Sequence, residues 1–483
     1  GEAWKILDEL GMAQRKAEWL WQEKVKKEPF ADCFYELVYY PLMASANVLM
    51  MQLYSGINQY FVSQGKKSGN DYPDMIERCI ERDRELIEEY HSLLGGKWNH
   101  MQSVFHIGYP GWNDEEWQYP RYAGFFPVSQ PRLLVNVIGQ NCTGGNPWRR
   151  RTLKMTLANP VKLMSGFEVA NGGQGALKYR IEWDADWLEI TETSADIRKM
   201  TVSQTGEQEG KNSQMGNYGK QRIQGKSLPY CLDGLETISE EDFSVRLKTE
   251  LLPKGERNCR ALIRVYGENC EETAERSENE YSETRVDIEV QADIYYLEGV
   301  DVNIFVECEG VIAIEAPHFC NSAAAKEASY QVIKDYGRTL GGIKVFPTTA
   351  VFQKPQDAPY VVYKLYVREA GDYMLTLYTA PGNPVVYQGK MRVGVCIEDG
   401  EFQLVNTIPD EGYVPWQSAA WSRGVVEQIH RSECRVSLKE GSNLLYIAAL
   451  DPGVVLEKLV LVKEGTTCPE SYLGPTESFC TIN

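Results

Sequence analysis

Residues 72–96 read YPDMIERCIERDRELIEEYHSLLGG, and this stretch separates two kinds of sequence. Tyr72, Met75, Ile76, Cys79, Ile80, Leu86, Ile87 and Tyr90 recur at three- and four-residue steps, the period of an amphipathic helix. Asp71 and Asp74 stand near its positive N-terminal end, and Gly95-Gly96 supplies a stop. Upstream the same rhythm appears twice. Ala3, Ile6, Leu7, Leu10, Ala13, Ala17, Leu20 and Trp21 mark a first helix, closed before Pro29. Phe34, Leu37, Val38, Leu42, Val48, Leu49 and Leu53 mark a second over about 32–63, with a kink expected at Pro41. Three amphipathic helices on short links predict a bundle.

Downstream of Gly96 the period changes. Residues 97–125 mix Trp, His and Tyr with Gly and Pro, an ordered irregular segment. From about 130 the apolar residues alternate, and strands are expected at 133–138, 177–183, 243–247, 262–266 and 286–294. Polar stretches at 203–227 and 268–283 read as loops. A second strand-rich region has turns at Glu369-Ala370-Gly371-Asp372, Glu398-Asp399-Gly400-Glu401 and Lys439-Glu440-Gly441-Ser442-Asn443. Its expected strands are 360–367, 373–378, 391–397 and 444–448, antiparallel and without intervening helices. The fold class is therefore multidomain α plus all-β: a helical bundle with an irregular C-terminal segment over 1–125, a β-sandwich with long polar insertions over 126–302, and a jelly-roll-like β-sandwich with its tail over 303–483.

The totals narrow the function. A formal charge of −18 on 483 residues argues against nucleic acid, which needs a basic footprint, and against an anionic membrane surface. No apolar run reaches the ~18 residues of a membrane span. Twelve cysteines are scattered singly, without a CxxC pair, and most read as small buried residues. That usage favours a reducing, cytoplasmic setting. The opening Gly1-Glu2-Ala3-Trp4 is already in helical rhythm and suggests a start inside a larger protein, which leaves secreted or periplasmic locations open.

Common catalytic motifs are absent: no GxSxG, P-loop, HExxH or dinucleotide fingerprint occurs, and five His with dispersed Cys give no zinc spacing. No cofactor is expected. Among 68 acidic residues nothing selects the two carboxyls that glycoside hydrolysis requires. The densest constellation is Gly95-Gly96-Lys97-Trp98-Asn99-His100-Met101 followed by His106-Ile107-Gly108-Tyr109 and Trp112. Its imidazoles, amide, cation and rings can orient sugar hydroxyls and a carboxylate, or can pack the bundle against its neighbours. Arg149-Arg150-Arg151 is either a contact for an acidic sugar or a solvated strand end. Glu315 and Asp451 are candidates for a structural calcium ion at strand ends, a weak pairing across the sequence.

The run Gly96 to Met101 with His106 to Tyr109 resembles the segment that ends the helical domain of glycoside hydrolase family 115. Ile314-Glu315-Ala316, Gly337-Arg338-Thr339-Leu340, the run from Asp451 through Pro452, Gly453, Val454, Val455, Leu456 and Glu457 to Lys458, and the tail Ser471-Tyr472-Leu473-Gly474-Pro475-Thr476-Glu477-Ser478 are similar to further family motifs, in the same order. The chain departs at Ser103-Val104-Phe105 and at Pro317. The resemblance implies a xylan α-1,2-glucuronidase that removes glucuronic acid or its 4-O-methyl ether with inversion. It implies an N-terminal α/β domain and a catalytic TIM barrel ahead of the bundle, and a homodimer. This chain would then be the C-terminal half of such an enzyme, inactive alone, acting on glucuronoxylan or its oligosaccharides through the parent polypeptide. No catalytic residue carries over; Trp98, Asn99, His100, His106 and Tyr109 are the candidates for binding carbohydrate or shaping a pocket. Two rivals stand beside this reading. One is an independent carbohydrate-binding protein using the jelly roll, with Trp416 and Trp421 as stacking rings. The other is a self-contained enzyme centred on Asn99, His100 and His106, whose nearest carboxyls in sequence are Asp114, Glu115 and Glu116.

Overall fold

In the computed structural model the described residues are 2–104, 106–108, 119–145, 152–193, 230–267, 285–339, 341–385, 390–408, 413–468 and 471–481. The expected loops at 203–227 and 268–283, the Arg149–Arg151 triplet, Tyr109, Trp112 and Asp114 to Glu116 lie outside them. The chain divides into two compact units, Gly1–Leu157 with Met164–Ala292, and Ala158–Leu163 with Asp293–Asn483.

The first unit opens with helices α1 (Glu2–Leu20), α2 (Ala31–Phe34), α3 (Tyr40–Gln64) and α4 (Tyr72–Gly96). A π-helical turn, Tyr35–Tyr39, joins α2 to α3 directly ahead of Pro41. Pro41 cannot donate a backbone bond, and the wider turn relieves its ring against the preceding carbonyls. The extra residue also rotates the helix, so the expected stripe is out of phase. Leu37 and Leu49 are exposed, at 73 % and 52 %, while Tyr35, Tyr39, Tyr40, Ala44, Met51 and Phe61 are buried. In α4 the expected face holds, with Tyr72, Ile76, Cys79, Leu86 and Tyr90 buried. Regular helix ends at Leu93 (ψ 141°), before the glycine pair, because Leu94 already turns left-handed at φ 52°.

Two five-stranded sheets follow. The first has the order Thr143–Gly144, Leu133–Val137, Met164–Asn171, Glu240–Leu247, Leu188–Glu192; the second runs Leu153–Asn159, Arg285–Ile294, Asn258–Gly267, Leu177–Trp183, Tyr230–Thr237. Alternation along Leu177–Trp183 puts Leu177, Tyr179, Ile181 and Trp183 inside. Across the sheets Tyr179 meets Phe243 edge-on at 6.2 Å, and Phe243 stacks on Phe167 at 5.3 Å. Helices and sandwich share polar contacts within this unit. Lys66, 3 % exposed, reaches Glu168 at 2.6 Å, and Asn136 donates to the same carboxylate at 3.2 Å.

The second unit is also a sandwich. One sheet runs Ile304–Val306, Tyr360–Val367, Gly441–Ala449, Arg392–Ile397, Gln403–Asn406; the other runs Ser329–Lys334, Gly341–Phe346, Val455–Lys463, Gly371–Thr379, His430–Leu438. Short strands Asn321–Ala323 and Val311–Glu315 add to Tyr360–Val367 and Val455–Lys463. Tyr363, Leu365, Ile447, Leu375, Leu377, Leu459 and Leu461 from both sheets form one fully buried core. Two expectations need correction. Ile304–Val306 pairs parallel to its neighbour. A helix, Ala419–Glu427, interrupts the strands, started by Ser418, whose hydroxyl accepts from the Trp421 N–H at 3.2 Å.

No disulfide joins any of the eleven cysteines among the described residues. Only Cys79 and Cys396 are buried, and Cys33 and Cys231 are exposed, so the reading of most as core fillers does not hold. Among the described residues no helix is long and apolar enough to cross a membrane.

Candidate functional site

The segment past α4 was singled out by its imidazoles and rings, and the structure divides it. Trp98 is half-buried and packs on the aromatic cluster of Tyr35, Tyr39, Tyr40 and Tyr90, with the Lys97 ammonium 4.7 Å from its ring centre. Asn99 and His100 are exposed. His91 and His100 rings lie 6.4 Å apart, and His91 Nε2 sits 3.0 Å from the Met101 carbonyl. Leu94, His100 and Gln102 have φ of 52°, 68° and 49°, a concentration of left-handed non-glycine residues that the surroundings must hold in place.

His106 turns inward. Its Nδ1 is 2.8 Å from Asp83 Oδ1, and its Nε2 is 3.4 Å from the Tyr40 hydroxyl. A carboxylate only accepts, so Nδ1 is the donor in that contact, and Nε2 faces the Tyr40 hydroxyl. Tyr40 stacks on Tyr90 with ring centres 4.4 Å apart, and burial, then the Asp83 charge, pushes its hydroxyl up to about 12. The carboxyl missing from this cluster in the sequence is thus Asp83, 5 % exposed, from the middle of α4. It occupies the buried stripe between Cys79 and Leu86, and a carboxylate in that phase was the available signal.

In the second unit the separate sequence motifs come together. Lys458 Nζ donates to Glu315 Oε1 at 2.9 Å and to the Leu473 carbonyl at 3.3 Å; Glu315 and Lys458 are 5 % and 3 % exposed. Glu477 accepts from the Glu315 backbone N–H at 2.8 Å, and Ser478 Oγ accepts from the Ala313 N–H at 3.0 Å. Arg338 donates its backbone N–H to Glu457 at 3.0 Å and lays its guanidinium 3.6 Å from the Tyr472 ring centre. The two strand-end segments and the tail therefore share one network around Val455–Lys463. Calcium at Glu315 and Asp451 is not supported by these partners. Glu315 is held by Lys458, and Asp451 takes a bidentate Arg392 at 2.7 and 3.0 Å. Among the described residues no three potential metal ligands gather.

Residues 304–477 match the Glycosyl hydrolase family 115 C-terminal domain. No curated protein matches the chain. Among solved structures, a match is "A novel family GH115 4-O-Methyl-alpha-glucuronidase, BtGH115A, with specificity for decorated arabinogalactans", at 12 % identity and TM-score 0.39, covering 95 % of this chain and 33 % of that one. A family 35 carbohydrate binding module from Clostridium thermocellum matches at 12 % identity and TM-score 0.22, covering 31 % of this chain and 96 % of the module. The family 35 module of Abf62 from Cellvibrio japonicus matches at 16 % and 0.22, covering 32 % and 94 %. This chain spans a third of the length of the family 115 structure. Over residues 304–477, where the motif network lies, the chain is similar to the C-terminal domain of glycosyl hydrolase family 115.

Proposed function

We propose that this chain is the accessory region of a glycoside hydrolase that removes (4-O-methyl)glucuronic acid, linked α-1,2 to xylose, from glucuronoxylan or its oligosaccharides. The observation that carries the reading is the family match over 304–477, together with the meeting of the Glu315, Arg338, Glu457–Lys458 and Tyr472–Glu477 segments in one network. Inversion requires one carboxyl to protonate the leaving oxygen and a second to activate water. In this reading both belong to the rest of a parent polypeptide, a homodimer, and this chain supports them. Trp98, Asn99, His100, His106 and Tyr109 help shape the pocket, with His106 fixed by Asp83 and Tyr40. The test is release of glucuronic acid from an aldouronic xylo-oligosaccharide. The folded chain alone should release none, and the parent enzyme should release it with inversion. Decorated arabinogalactan serves as the competing substrate. Activity of the parent on that polymer alone would refute the xylan assignment, and activity of this chain alone would refute the accessory role.

A second reading, retention of carbohydrate by the C-terminal unit, is favoured by Trp416. It is 76 % exposed, and its ring lies 6.2 Å from that of Trp421. Retardation of the chain in a xylan-containing gel, abolished by Trp416→Ala with Trp421→Ala, distinguishes this role from purely structural support.

A further inference from the structure

The C-terminal unit holds an open cavity of about 510 Å³, within the roughly 300–1,000 Å³ usual for small-ligand sites. It is lined by Thr376 and Tyr378 of one strand, Arg431 of the next, Glu427 at the end of the helix, and Arg338 and Tyr472. Two guanidiniums thus line one cavity, and neither forms an ion pair among the described residues. Arg338 lies against the Tyr472 ring, with Nε and Nη1 shielded from solvent and without hydrogen-bond partners among the described residues. Burial draws this guanidinium below its ordinary value, and the Arg431 charge adds to the effect, against the pull of Tyr472, Glu427 and Glu457. A partly desolvated cation without an anion is costly to hold, and a carboxylate offers a guanidinium charge-assisted hydrogen bonds. Tyr472, 52 % exposed, keeps ring surface open beside the cation. Two cations against the Glu427 carboxylate leave one net positive charge, which suits a monoanion better than a dianion.

We propose that this cavity binds a pyranose-sized monocarboxylate, a hexuronate, with Arg338 and Arg431 holding the carboxylate and Tyr472 carrying the ring. The site involves no bond cleavage and stands apart from the hydrolytic reading, so a failed activity assay leaves it intact, and failed binding leaves that reading intact. Calorimetric titration of the intact chain with sodium glucuronate, glucuronamide, glucose and inorganic phosphate tests it. Glucuronate should bind saturably, with the two neutral sugars at least about tenfold weaker for want of the charge-assisted pair. Arg431→Gln, at an exposed position that leaves the fold intact, should weaken glucuronate by a similar factor. Glu427→Gln should tighten it, because a carboxylate facing the ligand's own is removed; a purely structural Arg338–Tyr472 stack would not produce that gain. Absent saturation, equal binding of glucuronamide, tighter binding of phosphate, or unchanged binding by Arg431→Gln would each overturn the assignment.

Discussion

Glu457 is 1 % exposed, and its surroundings explain two neighbouring residues. Gly337 sits at φ 78°, and a Cβ there would lie 2.3 Å from the Glu457 carboxyl carbon. Only glycine supplies both the left-handed turn and the space. The next residue, Arg338, gives that carboxyl its backbone N–H. Burial raises the Glu457 pKa, opposed by the Arg338 N–H and charge and reinforced by the Glu315 charge. Between the ordinary value of 4.5 and the raised one, the native state therefore binds more protons than the unfolded state. The contribution to stability is full below the ordinary value and is lost as pH rises through the folded one. Glu457→Gln should flatten that fall, measured as urea unfolding free energy across the acid range. An unchanged slope would place the charge cost elsewhere. The Glu315, Arg338 and Glu457 segments were legible as motifs, but not as neighbours, since strand pairing across more than a hundred residues leaves no local trace. Asp83 was legible only by phase, and His106 carried no mark of turning inward.

At the scale of elements, the strands that alternate were the readable ones. Leu177–Trp183 and Tyr360–Val367 follow the period of two because one face meets the core. Val455–Lys463 is buried along seven consecutive positions and Met164–Asn171 along six, so neither shows alternation to read. The helix Ala419–Glu427 is short and contains Gly424, which weakens its signal, yet a Cβ there would meet His430 Nε2 at 2.2 Å. The link between α3 and α4 hides a further element contact. Lys66 leaves the helices and pairs with Glu168 in the middle of a strand, its ammonium also 4.4 Å from the Phe61 ring centre. Such a pair adds little over an apolar replacement, but losing one partner strands a buried charge. Lys66→Met should therefore cost about 3–5 kcal/mol in unfolding free energy. Adding Glu168→Leu should recover most of that loss. A single substitution with no measurable cost would mean that water reaches Glu168 in place of the lysine.

Across the whole molecule, the order of the chain and the order of its compact units differ. The chain lends Ala158–Leu163 to the second unit, returns to the first at Met164, and enters the second for good at Asp293. That short visit has structural content. Ala158 and Val161 pack with Tyr295 and Val306, the Tyr295 N–H donates to the Asn159 carbonyl at 2.8 Å, and Lys162 reaches Glu309 at 2.8 Å. The last residues close the same edge. Val306 N–H donates to the Phe479 carbonyl at 2.9 Å, Asn303 N–H to the Thr481 carbonyl at 2.8 Å, and Phe305 bridges Cys480. A fragment cut to the matched span, 304–477, lacks both supports and exposes Val306, which is fully buried in the intact chain. Uncovering one such side chain costs about 1.5–3 kcal/mol, a large share of the roughly 5–15 kcal/mol that holds a domain folded. The exposed Lys162–Glu309 pair adds little to this. The 304–477 fragment should therefore unfold at clearly lower urea than the same unit in the intact chain, followed by the near-ultraviolet signal of its buried tyrosines. A fragment from 293 to 483 should recover the part owed to Tyr295 and the tail, and remain short by the part owed to Ala158–Leu163. If 304–477 unfolds at the same urea concentration as the intact unit, the edge contacts contribute nothing, and the matched span is a complete folding unit.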